Sequence, residues 1–315
     1  MSDAWTLTLG ARYSYEEKDA AIARGKTNTA PCHIEPTLGC NPDFFSDDDW
    51  SSFTPKFGLQ WYYNDTSHAY FTYTKGFRSG GYNVRSNNPA ALPGPYDQET
   101  QDAYEIGTKI EWMDGRMKLN LALFHNEVVD MQRVTIVALA NGQTLQEIRN
   151  TADATMKGAE MDLTALVTDN LLLRMSVGYI DGGFDEVRAD LNKDGVIDSA
   201  DKALDLPRLA PWSWQVGANY DIHLDKGLVS LRAEYNHRDR SAQNDQNTDD
   251  INSADIVNAG MSFTTVDGKW TTSLFGKNLL DDEVNTSQTT IRRGKNSLTP
   301  IRKGREIGVE LKYQF

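Results

Sequence analysis

Taken two residues at a time, the chain divides into an apolar row and a polar row. Trp5, Leu7, Leu9, Ala11, Tyr13 and Tyr15 alternate with Thr6, Thr8, Gly10, Arg12, Ser14 and Glu16, which describes a strand with one apolar and one wet face. The same split returns in Phe57, Leu59, Trp61 and Tyr63, in Tyr104, Ile106, Ile110 and Trp112, and in Leu171, Leu173, Met175, Val177 and Tyr179. Trp212 through Leu224 and Ile307 through Phe315 repeat it. The pattern predicts about twelve strands, most of them about 10 to 14 residues long. Sandwich strands average about 5 to 6 residues, whereas a tilted strand crossing a bilayer needs about 9 to 11. The polar row also carries Arg12, Lys109, Glu111, Arg174, Arg232, Glu234 and Lys312 in mid-strand, where a wet lumen accepts charge and a dry core does not. The alternative is an antiparallel sheet with one solvated face, which seldom sustains so many long strands.

The connections alternate in length. Asn64 to Ser67, Met113 to Arg116, Thr168 to Asn170, Asp225 to Gly227 and Asp267 to Lys269 are short and rich in Asp, Asn and Gly, the chemistry of tight hairpins. Between them run long excursions: Glu17 to Ser52, Arg78 to Gln98, Thr135 to Asn150, Asp181 to Pro211, Asp239 to Ser253 and Asp281 to Thr299. The expectation is an all-β fold: one domain over residues 1–315, an antiparallel transmembrane β-barrel with short periplasmic turns, long extracellular loops and a periplasmic C-terminus at Phe315. Trp5, Trp61, Trp112, Tyr179, Trp212 and Trp270 fall near strand ends, where interfacial girdles form.

Composition narrows the function. A net charge of −13 and a pI near 4.8 argue against a nucleic-acid partner, which needs a basic surface. Mean hydropathy of −0.56 resembles that of a soluble chain, as the average over half-polar barrel strands does. Residues Met1 to Trp5 have no secretory-signal pattern.

Three groups of residues carry candidate chemistry. Asp190, Asn192, Asp194, Asp198 and Asp201 stand at positions 1, 3, 5, 9 and 12 of an EF-hand-type loop, with Gly195 at the sharp turn and the Val196 carbonyl at position 7. The spacing suits a structural calcium ion, although Asp201 is a shorter arm than the usual Glu; the alternative is a solvated acidic loop. Cys32 and Cys40, the 2 cysteines of the chain, form a disulfide in an oxidising compartment or, with His33, part of a metal site. Arg78, Tyr82, Asn83 and Arg85 in one long loop and Arg292 and Arg293 in another are candidate contacts for an anionic ligand, or loop charges facing solvent or lipopolysaccharide. The 5 histidines sit in no nucleophile motif, so neither an enzyme nor an organic cofactor is expected.

Several segments resemble the barrel of TonB-dependent outer-membrane receptors. Gly10-Ala11-Arg12-Tyr13 to Lys18 is similar to a mid-barrel strand of that family, and Gly76-Phe77-Arg78-Ser79-Gly80-Gly81-Tyr82-Asn83 to its Gly-Phe-Lys-Ser-Gly-Gly-Tyr-Asn hairpin loop. Glu99-Thr100 to Lys109, Lys157-Gly158-Ala159-Glu160, Asn278-Leu279-Leu280-Asp281 and the close from Gly304 to Phe315 continue the resemblance in order. It implies an outer-membrane receptor that takes up a scarce ligand, most often a ferric siderophore, through a plug energised by the TonB complex. Family barrels have about 22 strands, so the resemblance implies that this chain corresponds to the C-terminal half, with plug and earlier strands absent, as in a fragment or truncated reading frame. A plugless porin-like pore or an oligosaccharide or vitamin receptor is the alternative.

Overall fold

The computed structural model describes residues 4–22, 44–83, 94–138, 144–287, 289–291 and 296–315. The strands are β1 (Trp5–Ile22), β2 (Phe44–Asn64), β3 (Ser67–Arg78), β4 (Glu99–Trp112), β5 (Met117–Ala138), β6 (Thr144–Thr168), β7 (Leu171–Val187), β8 (Trp212–Leu224) and β9 (Gly227–Arg238). Two-residue strands β10 (Ser241–Ala242) and β11 (Asp250–Ile251) follow, then β12 (Ala254–Thr265), β13 (Trp270–Lys277), β14 (Thr289–Ile291), β15 (Asn296–Leu298) and β16 (Glu306–Tyr313). One short helix, α1 (Ser199–Lys202), lies between β7 and β8. The main sheet is a 12-stranded antiparallel meander in the order β1-β2-β3-β4-β5-β6-β7-β8-β9-β12-β13-β16. Among the described residues no pairing joins β1 to β16, so the sheet has two free edges.

Strand pairing keeps the apolar rows in line. Leu7 faces Leu59, Leu59 faces Phe71, Phe71 faces Ile106, Ile106 faces Leu123 and Leu123 faces Ala159. A second row runs Tyr220, Leu231, Met261, Leu274, Val309. Many of these side chains stay open even within the sheet: Ile106 is 56% exposed, Leu123 59% and Met261 48%. An uncovered apolar band of this extent belongs in hydrocarbon, not water. Rings border it at both ends. Trp5 stacks on Trp61, and Trp270 and Tyr313 pack at 4.6 Å near the short turns. Tyr73 packs on Tyr104 at 5.0 Å and Tyr179 on Trp212 at 4.7 Å toward the long loops.

The polar row contains a recurring device. Tyr70 lies across Gly107, Phe124 across Gly158 and Phe275 across Gly308, each pair directly opposite in the sheet. A methyl on those glycines would meet the partner's ring at 2.6, 2.5 and 2.5 Å. Two of these are the glycines of the Tyr-Glu-Ile-Gly and Lys-Gly-Ala-Glu segments, which are needed for close approach of a ring to backbone. Asn278 of the Asn-Leu-Leu-Asp segment closes β13: it adopts φ +48° and exchanges hydrogen bonds with the Asp282 backbone at 3.0 and 3.0 Å.

The structure corrects the element boundaries. β1, β2, β5 and β6 run well into stretches expected to be loop; β2 has 21 residues, β5 has 22 and β6 has 25. Beyond the apolar band the strands stay paired while both faces turn polar, so the two-residue alternation vanishes although the ladder continues. Lys18 opposite Asp48 and Thr135 opposite Glu147 are such pairs. The apolar core is small. Ala152, Ala154, Phe184, Leu191 and Leu206 are buried together at the long-loop end, where the segment after β7 folds back onto β6 and β7.

Candidate functional site

The long-loop end of the polar face gathers a cluster that the sequence does not announce. Trp50 shares the polar row of β2 with Ser52, Thr54 and Lys56, and is 6% exposed. After β3 the chain turns back over it. Tyr82 packs edge-on against Trp50 at 6.2 Å and Phe44 at 6.1 Å, and its hydroxyl reaches Ser46 at 3.3 Å. Lys18 stands over the Trp50 ring at 5.3 Å and donates to Ser79 Oγ at 2.5 Å and the Gly80 carbonyl at 2.7 Å. Ser79 in turn donates to Glu16 at 2.7 Å. The buried Gln132 side chain donates to the carbonyls of Ser79 and Asp97, each at 2.9 Å.

Of the residues singled out as ligand contacts, Arg78 is exposed at the end of β3 and Tyr82 joins the cluster. The Asn83 amide is engaged at both ends with the Ile148 backbone, at 3.0 and 2.7 Å, so it acts as a clamp between this loop and β6. Arg85, Arg292 and Arg293, and the cysteines Cys32 and Cys40, lie outside the described residues. Trp50, Lys18 and Gln132 each fall within or beside a stretch that reads as loop; the pairing of Glu16 with Trp50 and Lys18 with Asp48 across β1 and β2, and of Gln132 with Asn150 across β5 and β6, is what places them.

Gly80 fixes this packing. A Cβ there would lie 2.2 Å from Trp50 Nε1 and 2.2 Å from the Tyr96 carbonyl, and neither a buried ring nor backbone yields cheaply. Gly80→Ala is therefore expected to destabilise this end by about 1–3 kcal/mol, seen as faster amide hydrogen exchange over residues 79–83 with strand protection elsewhere unchanged.

The acidic loop after β7 is folded on its own backbone. Asp190 accepts from the amides of Lys193 at 2.6 Å and Gly195 at 2.9 Å, Asn192 from Asp194 at 2.9 Å, and Asp194 from Val196 at 2.9 Å. Asp198 caps α1 through Ala200 N–H at 2.7 Å. Asp201, 0% exposed, closes the ring by accepting from Leu191 at 2.7 Å, Asn192 at 2.9 Å and Asp198 at 3.0 Å. Burial pushes the Asp201 carboxyl up, but the amides of Asn192, Asp198 and Leu191 outweigh it and hold the group below the usual 3.8. Lys193 and Gly195 take the left-handed conformation at φ +64° and +97°, and glycine suits the second. Among the described residues no group of three or more His, Cys, Asp or Glu side chains converges closely enough to hold a metal ion.

This loop is tied to the next. Asp205 N–H donates to Asn247 Oδ1 at 2.7 Å, Asn247 Nδ2 to the Asp205 carbonyl at 3.0 Å, and Arg208 N–H to the Ala242 carbonyl at 2.7 Å. Arg133 of β5 pairs with Asp245.

The arrangement is that of a sheet with a lipid-facing band, a wet inner wall and ordered loops gathered at one end. A family model described as TonB-dependent receptor-like β-barrel matches residues 1–279. The chain belongs to the TonB-dependent receptor family. Solved structures agree on the fold. The ferric yersiniabactin uptake receptor FyuA from Yersinia pestis is 17% identical with a TM-score of 0.76, the match covering 100% of this chain and 44% of that one. The copper transporter OprC (13% identity, TM-score 0.71, covering 100% and 46%) and the siderophore receptor PiuA from Acinetobacter baumannii (17%, 0.69, covering 98% and 40%) are also similar. This TonB-dependent receptor barrel thus spans less than half the length of these solved structures.

Proposed function

We propose that this barrel segment belongs to an outer-membrane uptake receptor for a ferric siderophore, energised by the TonB complex through a plug that sits against its wet inner wall. In this reading the twelve long strands form the C-terminal half of the barrel domain, the long loops face outward from the cell among lipopolysaccharide, and Phe315 lies on the periplasmic side. The observation that carries it is the Trp50, Tyr82 and Lys18 cluster at the long-loop end of the inner wall, joined to membership in the family. The part-buried Tyr82 ring and the Lys18 side chain, whose ammonium also pairs with Glu16 at 3.4 Å, are the groups of this cluster that a flat, anionic iron chelate would meet. The names of FyuA and PiuA, a ferric yersiniabactin uptake receptor and a siderophore receptor, support the ligand class. The test is radiolabelled uptake in iron-limited cells producing the whole receptor. Trp50→Ala with Tyr82→Ala is expected to lower uptake of an iron chelate at least about tenfold while surface expression holds. Undiminished uptake, accumulation of oligosaccharide or vitamin instead, or steady open conductance in planar bilayers would reject the reading.

We also propose that the 190–201 loop takes one structural calcium ion. Support comes from the spacing of its oxygen side chains, the left-handed Gly195 and the ring closed by Asp201. Because the carboxylates are engaged with backbone amides and do not converge on one point, binding has to rearrange them, and affinity in the range of about 0.1–1 mM is expected. Calorimetry on the folded protein checks this, and absence of saturable heat with calcium rejects it.

A further inference from the structure

The loop between β3 and β4 carries Tyr82, and its two ends are drawn together into a neck. Gly81 N–H donates to the Tyr96 carbonyl at 3.1 Å, and Tyr96 N–H to the Gly81 carbonyl at 2.9 Å. Two carboxamides, Gln132 of β5 and Asn150 of β6, stand opposite each other in the sheet and serve the same neck. Asn150 holds one end: its side chain accepts from Asp97 N–H at 2.8 Å and donates to the Asp97 carbonyl at 3.0 Å. Gln132 holds both. Its single amide nitrogen donates to the Ser79 carbonyl where the loop begins and to the Asp97 carbonyl where it ends, each at 2.9 Å.

Local structure aims Gln132 at this neck. Asp130 adopts φ +57°, and the register between β5 and β6 slips on both sides of Met131, the mark of a bulge, which re-aims the side chains beside it. The bulge is fixed by Asn150 Nδ2 on the Asp130 carbonyl at 2.7 Å and by Asp153 on the Asp130 N–H at 2.8 Å. Met131 then packs against the small buried core, and the Gln132 N–H donates to Glu99 at 2.6 Å. Only a group with two hydrogens on one atom spans both carbonyls; a glutamate of the same shape would turn lone pairs toward them. The two ends depend on Gln132 unequally. Asp97 keeps Asn150 on both of its backbone groups, whereas Gln132 is the side chain that holds the Ser79 carbonyl. From Ser79 the chain runs through Gly80 and Gly81 directly to Tyr82, and glycines pass on the freedom that Ser79 gains.

We propose that Gln132 is a positioning residue for the ligand cluster: by tying the start of the β3–β4 loop to its end, its carboxamide fixes where the Tyr82 ring stands against Trp50. It touches neither ring's ligand-facing side and acts through Tyr82. The effect on a ligand rests on the uptake function proposed above; the effect on the two rings does not.

The test is fluorine NMR on the whole receptor in detergent, labelled with fluorotryptophan, with the Trp50 resonance assigned through Trp50→Phe. Tyr82→Ala gives the shift that Trp50 undergoes on losing its edge-on neighbour. Gln132→Met is expected to move the Trp50 resonance toward that position while the other tryptophan resonances hold, and Gln132→Glu, which keeps the shape of the side chain, is expected to do the same should methionine impair folding. Added to Tyr82→Ala, neither change should move the resonance further. A Trp50 resonance that stays in place in the folded Gln132 variants, or a further shift of equal size on top of Tyr82→Ala, would overturn the proposal. Uptake of the radiolabelled tris-catecholate complex of iron(III) by iron-limited cells reads the consequence for a ligand. The Gln132 variants are expected to raise the half-saturating concentration about tenfold at an unchanged maximal rate. Unchanged half-saturation in them, where Trp50→Ala with Tyr82→Ala lowers uptake, would also overturn the proposal. Uptake that none of these variants alters rejects the ligand reading instead, and the Trp50 resonance then decides the positioning by itself.

Discussion

Arginine in place of Leu121 is expected to cost the folded barrel about 2–4 kcal/mol, while arginine at the adjacent Asn120 costs less than about 1. Leu121 stands in the outward apolar row, 38% exposed, opposite Thr108 on one side and Met161 on the other. A guanidinium there meets hydrocarbon near the middle of the band and has to thin the bilayer or reach for its edge. Asn120 points to the wet wall, opposite Lys109 and Asp162, where a cation gains a carboxylate neighbour and keeps its water. Folding into lipid vesicles followed across a urea series measures both. Equal penalties at the two positions would mean that the faces are assigned wrongly, and with them the membrane reading.

Asp201→Ala is expected to open the loop after β7 at a cost of about 3 kcal/mol, because three backbone N–H groups lose a buried acceptor at once. Leu191 is one of the three donors and also belongs to the buried cluster with Ala152, Ala154, Phe184 and Leu206, so the damage extends to the small core. The same carboxylate makes the loop sensitive to acid. Its folded pKa is depressed below 3.8, so its contribution is fully present above about pH 4 and is lost as the pH falls through the folded value. Hydrogen-exchange protection over residues 188–206, taken relative to the intrinsic amide rate at each pH, should be the same at pH 7 and pH 5 and fall in the parent below about pH 4. The alanine variant should exchange fast throughout and show no such step. An acid step that persists in the variant would assign it to another group.

The strands were legible in the sequence wherever two environments meet the two faces. Leu171 to Tyr179 alternate because lipid lies on one side and water on the other, and β7 pairs with β8 over that stretch as expected. Legibility ended where both faces become wet. Ser46 to Ser52 reads as an acidic loop, yet it is the end of β2, paired residue by residue with β1. Trp50 is hidden there for the same reason: amid serines and aspartates it has no periodic partner, and only its position opposite Glu16 shows that it points to the wall. The acidic loop was legible as a motif because each oxygen is placed by spacing along one segment.

The rings lying over Gly107, Gly158 and Gly308 bear on how this wall can diverge. Neither member of such a pair is free to vary by itself: a side chain on the glycine collides with the ring, and loss of the ring bares the glycine's backbone. At Gly308 the unit open to variation is the pair, exchanged together for two residues of middling size; at Gly107 and Gly158 the carbonyls of Leu121 and Tyr179, 2.5 and 2.2 Å from a Cβ, block a side chain even when the ring is gone. Drift is therefore slowed at Gly308 by the need for two simultaneous changes in strands adjacent in the sheet, and at Gly107 and Gly158 it is confined to the ring.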